Sequence, residues 1–199
     1  MAKIFIVSLP RTGTTSVCLY LLDCGLKVAH TAYTDGAFER ADVIADTPVF
    51  VDYTMLYRRY PDAKFVYLER SMSDWIPSIR RLLQTMRKQW LRDCTFFEKD
   101  IKRCFQDVFP SFEEKKDFRN TYLHAAYDRH KVDILNFFAD KPEQFLRLDI
   151  EQVGAGGILS QFCNVEAGEG GYDELPHVNK GRRIAYWASI EHDNKIASN

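Results

Sequence analysis

An α/β fold, with a mainly parallel central sheet between two layers of helices, is what three features of the sequence predict. Short apolar, β-branched runs recur along the chain and read as fully buried strands. Helical patterns separate them, so the strands are expected to run parallel, with both faces of the sheet covered. The 199 residues, 46% of them hydrophobic, suffice for one sizeable core and are short for two. A single domain over 1–199 is therefore expected, with a polar tail from about residue 188.

Residues 4–8, IFIVS, form the first strand, ended by a turn signal. Residues 14–24 follow as a helix, with Val17, Leu21 and Leu22 on one face and Gly25 as its stop. Residues 27–30 read as a short second strand. The turn "YPDA" introduces another buried strand over 65–68. A helix starts near Ser73 or Asp74 and is long: Ile76, Ile79, Leu83, Met86 and Trp90 recur at helical spacing. Arg80, Arg81, Arg87, Lys88 and Arg92 lie mostly off that apolar face. Residues 122–138 are helical and stop before Pro142, and 145–148 form a late strand. The "GAGG" at 154–157 and Gly168, Gly170 and Gly171 read as loops, and the last dozen residues as a frayed end. Ligands of such sheets bind at the carboxyl ends of the strands. Residues 8–16 and 69–78 both lie just past such ends.

A net charge of −1 supplies no global basic field, so non-specific nucleic-acid binding is not expected and any anion site is local. Five scattered cysteines show neither zinc-type spacing nor a disulfide framework, which points to a reduced, cytoplasmic setting and to no metal site. The N-terminus does not read as a signal peptide, and no apolar run approaches the ~18 residues of a membrane span.

"SLPRTGTTS", residues 8–16, joins the first strand to the first helix. Gly13 lets successive N–H groups turn inward, and the helix N-terminus adds unsatisfied donors and a positive dipole end. Thr12, Thr14, Thr15 and Ser16 supply hydroxyls, and Arg11 a fixed positive fork. The triphosphate-binding pattern G-x-x-x-x-G-K-[ST] is absent. An anion site is expected here; the bland alternative is a turn whose hydroxyls only cap the helix. The strand at 65–68 delivers Arg70 at its end, and Ser78 lies about two turns into the next helix. Both can reach one phosphate.

Together the segments resemble the sulfotransferases that use 3′-phosphoadenosine 5′-phosphosulfate (PAPS), most closely their smaller, bacterial-type branch. Pro10, Arg11, Thr12, Gly13, Thr14 and Thr15 match that family's 5′-phosphosulfate loop, and Arg70 with Ser78 its 3′-phosphate pair. Asp74 also stands where the family often has Asp. The late "LPHVNKG" matches the closing basic loop, which carries Asn179, Lys180 and Gly181 into the cofactor site. The resemblance implies a P-loop-like fold, PAPS as donor, 3′,5′-ADP as product, and transfer to a hydroxyl or amine. Arg11 stands where the family usually has Lys; it stabilises charge but cannot give up a proton.

A family histidine commonly precedes a proline upstream of the strand-end Arg. In "IADTPVF" the matching position is Asp46, the first candidate for general base, with His30 the second. A bland reading makes Asp46 a turn cap and His30 a structural histidine. His124 and His130 read as surface or core-edge residues, and His177 as part of the closing loop. The acceptor, a small molecule or a glycan, stays open. So do the oligomeric state, a small-molecule or nucleotide kinase, and a non-catalytic module of the same fold. The position near Leu148, where an adenine-stacking ring is expected, is not aromatic.

Overall fold

The structure, a computed structural model, describes residues 2–93, 95–166, 173–176 and 187–198. Five strands form one sheet: β1 (Ile4–Ile6), β2 (Val28–Ala29), β3 (Val43–Ala45), β4 (Lys64–Glu69) and β5 (Phe145–Asp149), in the order β2-β3-β1-β4-β5. Every pairing is parallel. Alternate side chains of each strand enter different cores. Ile4, Ile6, Val43, Ala45, Val66 and Leu68 pack with α1 (Thr14–Asp23) and α7 (Ala155–Cys163). Phe5, Val7, Ile44, Phe65 and Tyr67 pack on the other face, with α2 (Asp35–Arg40), α3 (Val49–Arg59) and α6 (Asn120–Phe138). The sheet is covered on both faces, as the uninterrupted apolar runs require.

A third apolar cluster lies beyond the sheet. It joins Leu9 and Phe50 to the inward faces of α4 (Met72–Arg92), α5 (Lys99–Val108) and α6. Ile76, Ile79, Leu83 and Met86 are buried there, as the helical spacing predicts, and Trp90 packs against the cluster. Adjacent strands β1 and β3 send their following helices, α1 and α3, to opposite faces. The crevice left at the carboxyl ends of such strands is where an open α/β sheet accepts a ligand.

Three expectations change. The glycines at 154–157 do not all mark a loop: α7 begins at Ala155 with Gly154 as its N-cap. Gly156 lies within the helix because a Cβ there would meet Asp173 O and Tyr20 Cε2, both at 2.8 Å. Close approach of α7 to its neighbours selects glycine at this position. The chain end is not frayed either: Val28 N–H donates to Asn194 O at 3.0 Å, and Ile196 N–H to Val28 O at 2.9 Å. His130 is a core residue, 7% exposed, with Nε2 2.7 Å from Phe50 O. His124 is exposed. Gly168, Gly170, Gly171 and His177 lie outside the described residues.

Candidate active site

The loop after β1 is held from below. Thr12 Oγ1 donates to Leu9 O at 2.7 Å, and the fully buried Trp75 donates from Nε1 to Pro10 O at 3.0 Å. Ser8 Oγ accepts from Leu68 N–H, tying the strand end to β4. Gly13 has φ 103°, a left-handed conformation, and a Cβ would meet Ile150 Cδ1 at 2.7 Å. The positive φ requires glycine there, whereas the Ile150 methyl can move aside. Gly13 is also the N-cap of α1, and no side chain caps that helix. The first-turn N–H groups therefore keep their capacity for an anion, with the helix dipole behind them. The Thr12 hydroxyl is spent on the loop itself; Thr14 and Thr15 turn theirs toward His30.

Arg70 comes off the end of β4 and returns to this loop. Its Nη1 donates to Arg11 O at 2.9 Å. Its Nε is buried and has no hydrogen-bond partner among the described residues. Ser78, 5% exposed on α4, accepts from Arg11 Nε at 2.9 Å. Arg11 thus spans the two segments that the sequence marks as anion sites, and Arg70, Ser78 and the Gly13 turn form one continuous patch. Asp74 is exposed and accepts from Ser71 Oγ at 2.7 Å, away from the patch's bonds.

His30 and Asp46 follow adjacent parallel strands, β2 and β3, so the register of the sheet brings them together. His30 Nδ1 is 3.9 Å from Asp46 Oδ2, an electrostatic contact rather than a hydrogen bond. His30 Nε2 lies 3.2 Å from Thr15 Oγ1 and 3.4 Å from Thr14 Oγ1. The imidazole presents one nitrogen to the loop and the other to the carboxylate. Both side chains are more than four-fifths buried. Burial pushes the His30 pKa below its usual value, against the pull of Asp46 and with help from Arg11 and Lys195. Burial also raises Asp46, opposed by His30, Thr47 and Arg11. Asp46 does not cap α3, whose N-cap is Pro48. It has φ 50° and Arg11 has φ 73°. Such backbone positions gather where function over-determines the geometry.

These groups line a cavity of about 290 Å³. Pro10, Arg11, Gly13, Thr14, Thr15, His30, Asp46 and Arg70 form its polar part, joined by Thr31, Tyr33 and Thr47. Burial lifts the Tyr33 phenol to about 12, so it stays protonated. The rest is apolar and comes from α4, α5 and their linker. Sequence reasoning placed Arg11, Asp46, His30 and Arg70 in one site, and the fold gathers them. It did not find Ile101 and Phe105, although their i,i+4 spacing on an amphipathic segment is a readable signal. Nor did it find Trp187, whose ring lies 5.1 Å from that of His30. Asn179, Lys180 and Gly181 lie outside the described residues.

The site thus joins a strand-tip glycine loop, an arginine returned to it from a neighbouring strand and a buried histidine–carboxylate pair. A family model, described as a sulfotransferase domain, matches residues 30–184. The match covers well over half of the chain, which belongs to the sulfotransferase domain family and so to the transferases. It begins at His30, includes Asp46, Arg70 and Ser78, and stops short of the first loop. No curated protein sequence matches the chain significantly.

Proposed function

We propose that this cavity transfers a sulfuryl group from PAPS to a hydroxyl or amine. The Arg70 guanidinium, which lines the cavity beside the start of α1, where Gly13 offers no side-chain cap, carries the reading. The residues fit the donor. N–H groups at the start of α1 and the Arg11 guanidinium would hold its 5′-phosphosulfate. Arg70 and Ser78 would hold the 3′-phosphate, with Asn179, Lys180 and Gly181 closing over it as in the resemblance. The donor supplies an activated sulfuryl group on a good leaving phosphate.

The chain supplies position and charge. In an in-line displacement the acceptor oxygen bonds to sulfur while the bridging S–O bond breaks. Its electron pair leaves with the phosphate of 3′,5′-ADP. Arg11 and the helix dipole face the charge that develops there. The acceptor proton goes to His30 Nε2, the nitrogen turned toward the loop, while Asp46 faces Nδ1 and holds the ring. This geometry favours His30 as base and Asp46 as its positioning partner, the reverse of the order that the family pattern suggests.

Calorimetry with 3′,5′-ADP, ATP and AMP side by side tests the donor. Tight binding of 3′,5′-ADP, lost in Arg70→Ala, with weak ATP and AMP, is the expected result. Magnesium-dependent ATP binding in preference to 3′,5′-ADP would turn the reading toward a kinase. His30→Gln and Asp46→Asn should keep 3′,5′-ADP binding and lose turnover, by about 10²–10⁴-fold for the base. Near-normal rates in both would remove the pair from the mechanism.

A further inference from the structure

The cavity has two chemically distinct parts, and the proposed donor accounts for only one. The strand tips bring the cations, hydroxyls and the His30–Asp46 pair. The other part is built from Leu82 and Met86 of α4, Phe97 of the linker, and Ile101 and Phe105 of α5. No charged side chain of α4 or α5 lines it. None of the basic residues of α4, Arg87 included, lines the cavity. Arg80 donates to Phe118 O at 2.9 Å and to Asn120 Oδ1, while Arg81, Lys88 and Arg92 are exposed.

The apolar part is anchored. Arg103 of α5 grips Asp52 of α3 with two bonds, Nη1 to Oδ1 at 2.8 Å and Nη2 to Oδ2 at 2.6 Å. Phe105 meets Phe50 edge-on, with ring centroids 5.9 Å apart. These contacts set the cavity-facing residues of α5 beside the end of β3, close to Asp46 and Thr47. The whole cavity, donor part included, measures about 290 Å³. Among the described residues, an anionic body meets no cation in the apolar part.

Resting on the sulfuryl-transfer reading, we infer that the acceptor is an uncharged alcohol or phenol with an apolar body. Its body packs between Met86, Phe97, Ile101 and Phe105, and its hydroxyl reaches His30 Nε2. Thr31, Tyr33 and Thr47 supply the few polar contacts that orient it. The product is the sulfate ester of that alcohol, with the acceptor proton on His30 and 3′,5′-ADP as leaving group. The wall selects by exclusion: a charged or polyhydroxylated acceptor would leave its polar groups unpaired there.

The test uses 2-naphthol, whose own fluorescence reports binding, with glucose and glucuronic acid as the neutral polar and acidic comparisons. Each is titrated into the full chain with saturating 3′,5′-ADP, and each is offered as acceptor with PAPS. Saturable naphthol binding and turnover, with neither sugar competing, is expected. Phe97→Ser and Ile101→Asn should each weaken naphthol about tenfold or more, with 3′,5′-ADP affinity retained as the check on folding. Preference for either sugar, or naphthol affinity unchanged in both variants, overturns the acceptor assignment. Retained 3′,5′-ADP binding in that case leaves the donor reading standing. Failure of the unmodified chain to bind 3′,5′-ADP brings down both.

Discussion

At the scale of single residues, the acid–base pair has a testable sign. His30 works as a base only when neutral. Its pKa is held down first by burial, then by Arg11 and Lys195, and lifted by Asp46. The acid limb of kcat/KM is therefore expected below the ordinary histidine value of about 6.5. Asp46→Asn removes the lifting charge, so the limb should move to lower pH in whatever activity remains. Lys195→Met removes an opposing charge and should move it up. Rate profiles of the two variants moving the same way would sink this assignment. As candidates these residues are readable in the sequence: it marks Arg11, Asp46, His30 and Arg70, and the fold brings them to one cavity. Which of the pair takes the proton is not readable there. That depends on which imidazole nitrogen faces Thr14 and Thr15, a matter of strand register rather than of residue type.

At the scale of elements, four of the five strands were readable as apolar runs, but β3 was not. Its three residues, Val43–Ala45, are defined by pairing with β1 and β2 on either side. Missing β3 hid the reason that His30 and Asp46 meet. The chain end was misread for a related cause: a polar segment looks frayed until a strand edge accepts its backbone. Residues 194–196 pair with Val28, and Ser198 O accepts from Tyr33 N–H at 2.8 Å. This docking carries the 3-10 turn Trp187–Ser189 to the site. Lys195 holds it there, donating from Nζ to Trp187 O and Ile190 O, both at 2.7 Å. The Trp187 ring then lies 5.1 Å from the imidazole of His30, at 30°. A ring contact of this kind is worth only ~1 kcal/mol, enough to fix a rotamer and too little to decide folding. Trp187→Ala should therefore lower kcat by roughly fivefold, leave 3′,5′-ADP affinity unchanged, and be rescued largely by Trp187→Phe. It should also raise the pH of the acid limb, because the imidazole loses cover. A variant that lost 3′,5′-ADP binding in proportion to kcat would assign Trp187 to the donor site instead.

At the scale of the whole molecule, buried histidines make folding stability fall in acid, His130 among them. His130 on α6 sits in the core, with Nε2 against Phe50 O and Nδ1 without a hydrogen-bond partner among the described residues. Burial, aided by Arg129, lowers its pKa to about 4. The unfolded chain takes up this proton near 6.5, and the folded chain does not until about 4. Between those values the unfolded state binds more protons, so folding stability falls as pH falls, and the decline from this source stops once both states are protonated. The full effect is roughly 3 kcal/mol, a large fraction of the ~5–15 kcal/mol that holds a typical domain. His130 also lies where α6 meets α3, through Phe50, and where the sheet meets both, through Tyr67 at 6.1 Å between ring centroids. Its protonation strains the junction of two apolar clusters rather than a surface contact. Urea unfolding at pH 7 and at pH 4.5 should show a loss in the unmodified chain that is smaller in His130→Gln. That variant should start less stable at pH 7, having lost the fit to Phe50. His30, whose pKa burial also lowers, contributes to the slope with the same sign, so His30→Gln should lose turnover and also remove its own share of the slope. A slope unchanged by His130→Gln would place the acid sensitivity elsewhere, and would separate the core histidine from the loss of folding while leaving the chemistry of the cavity untouched.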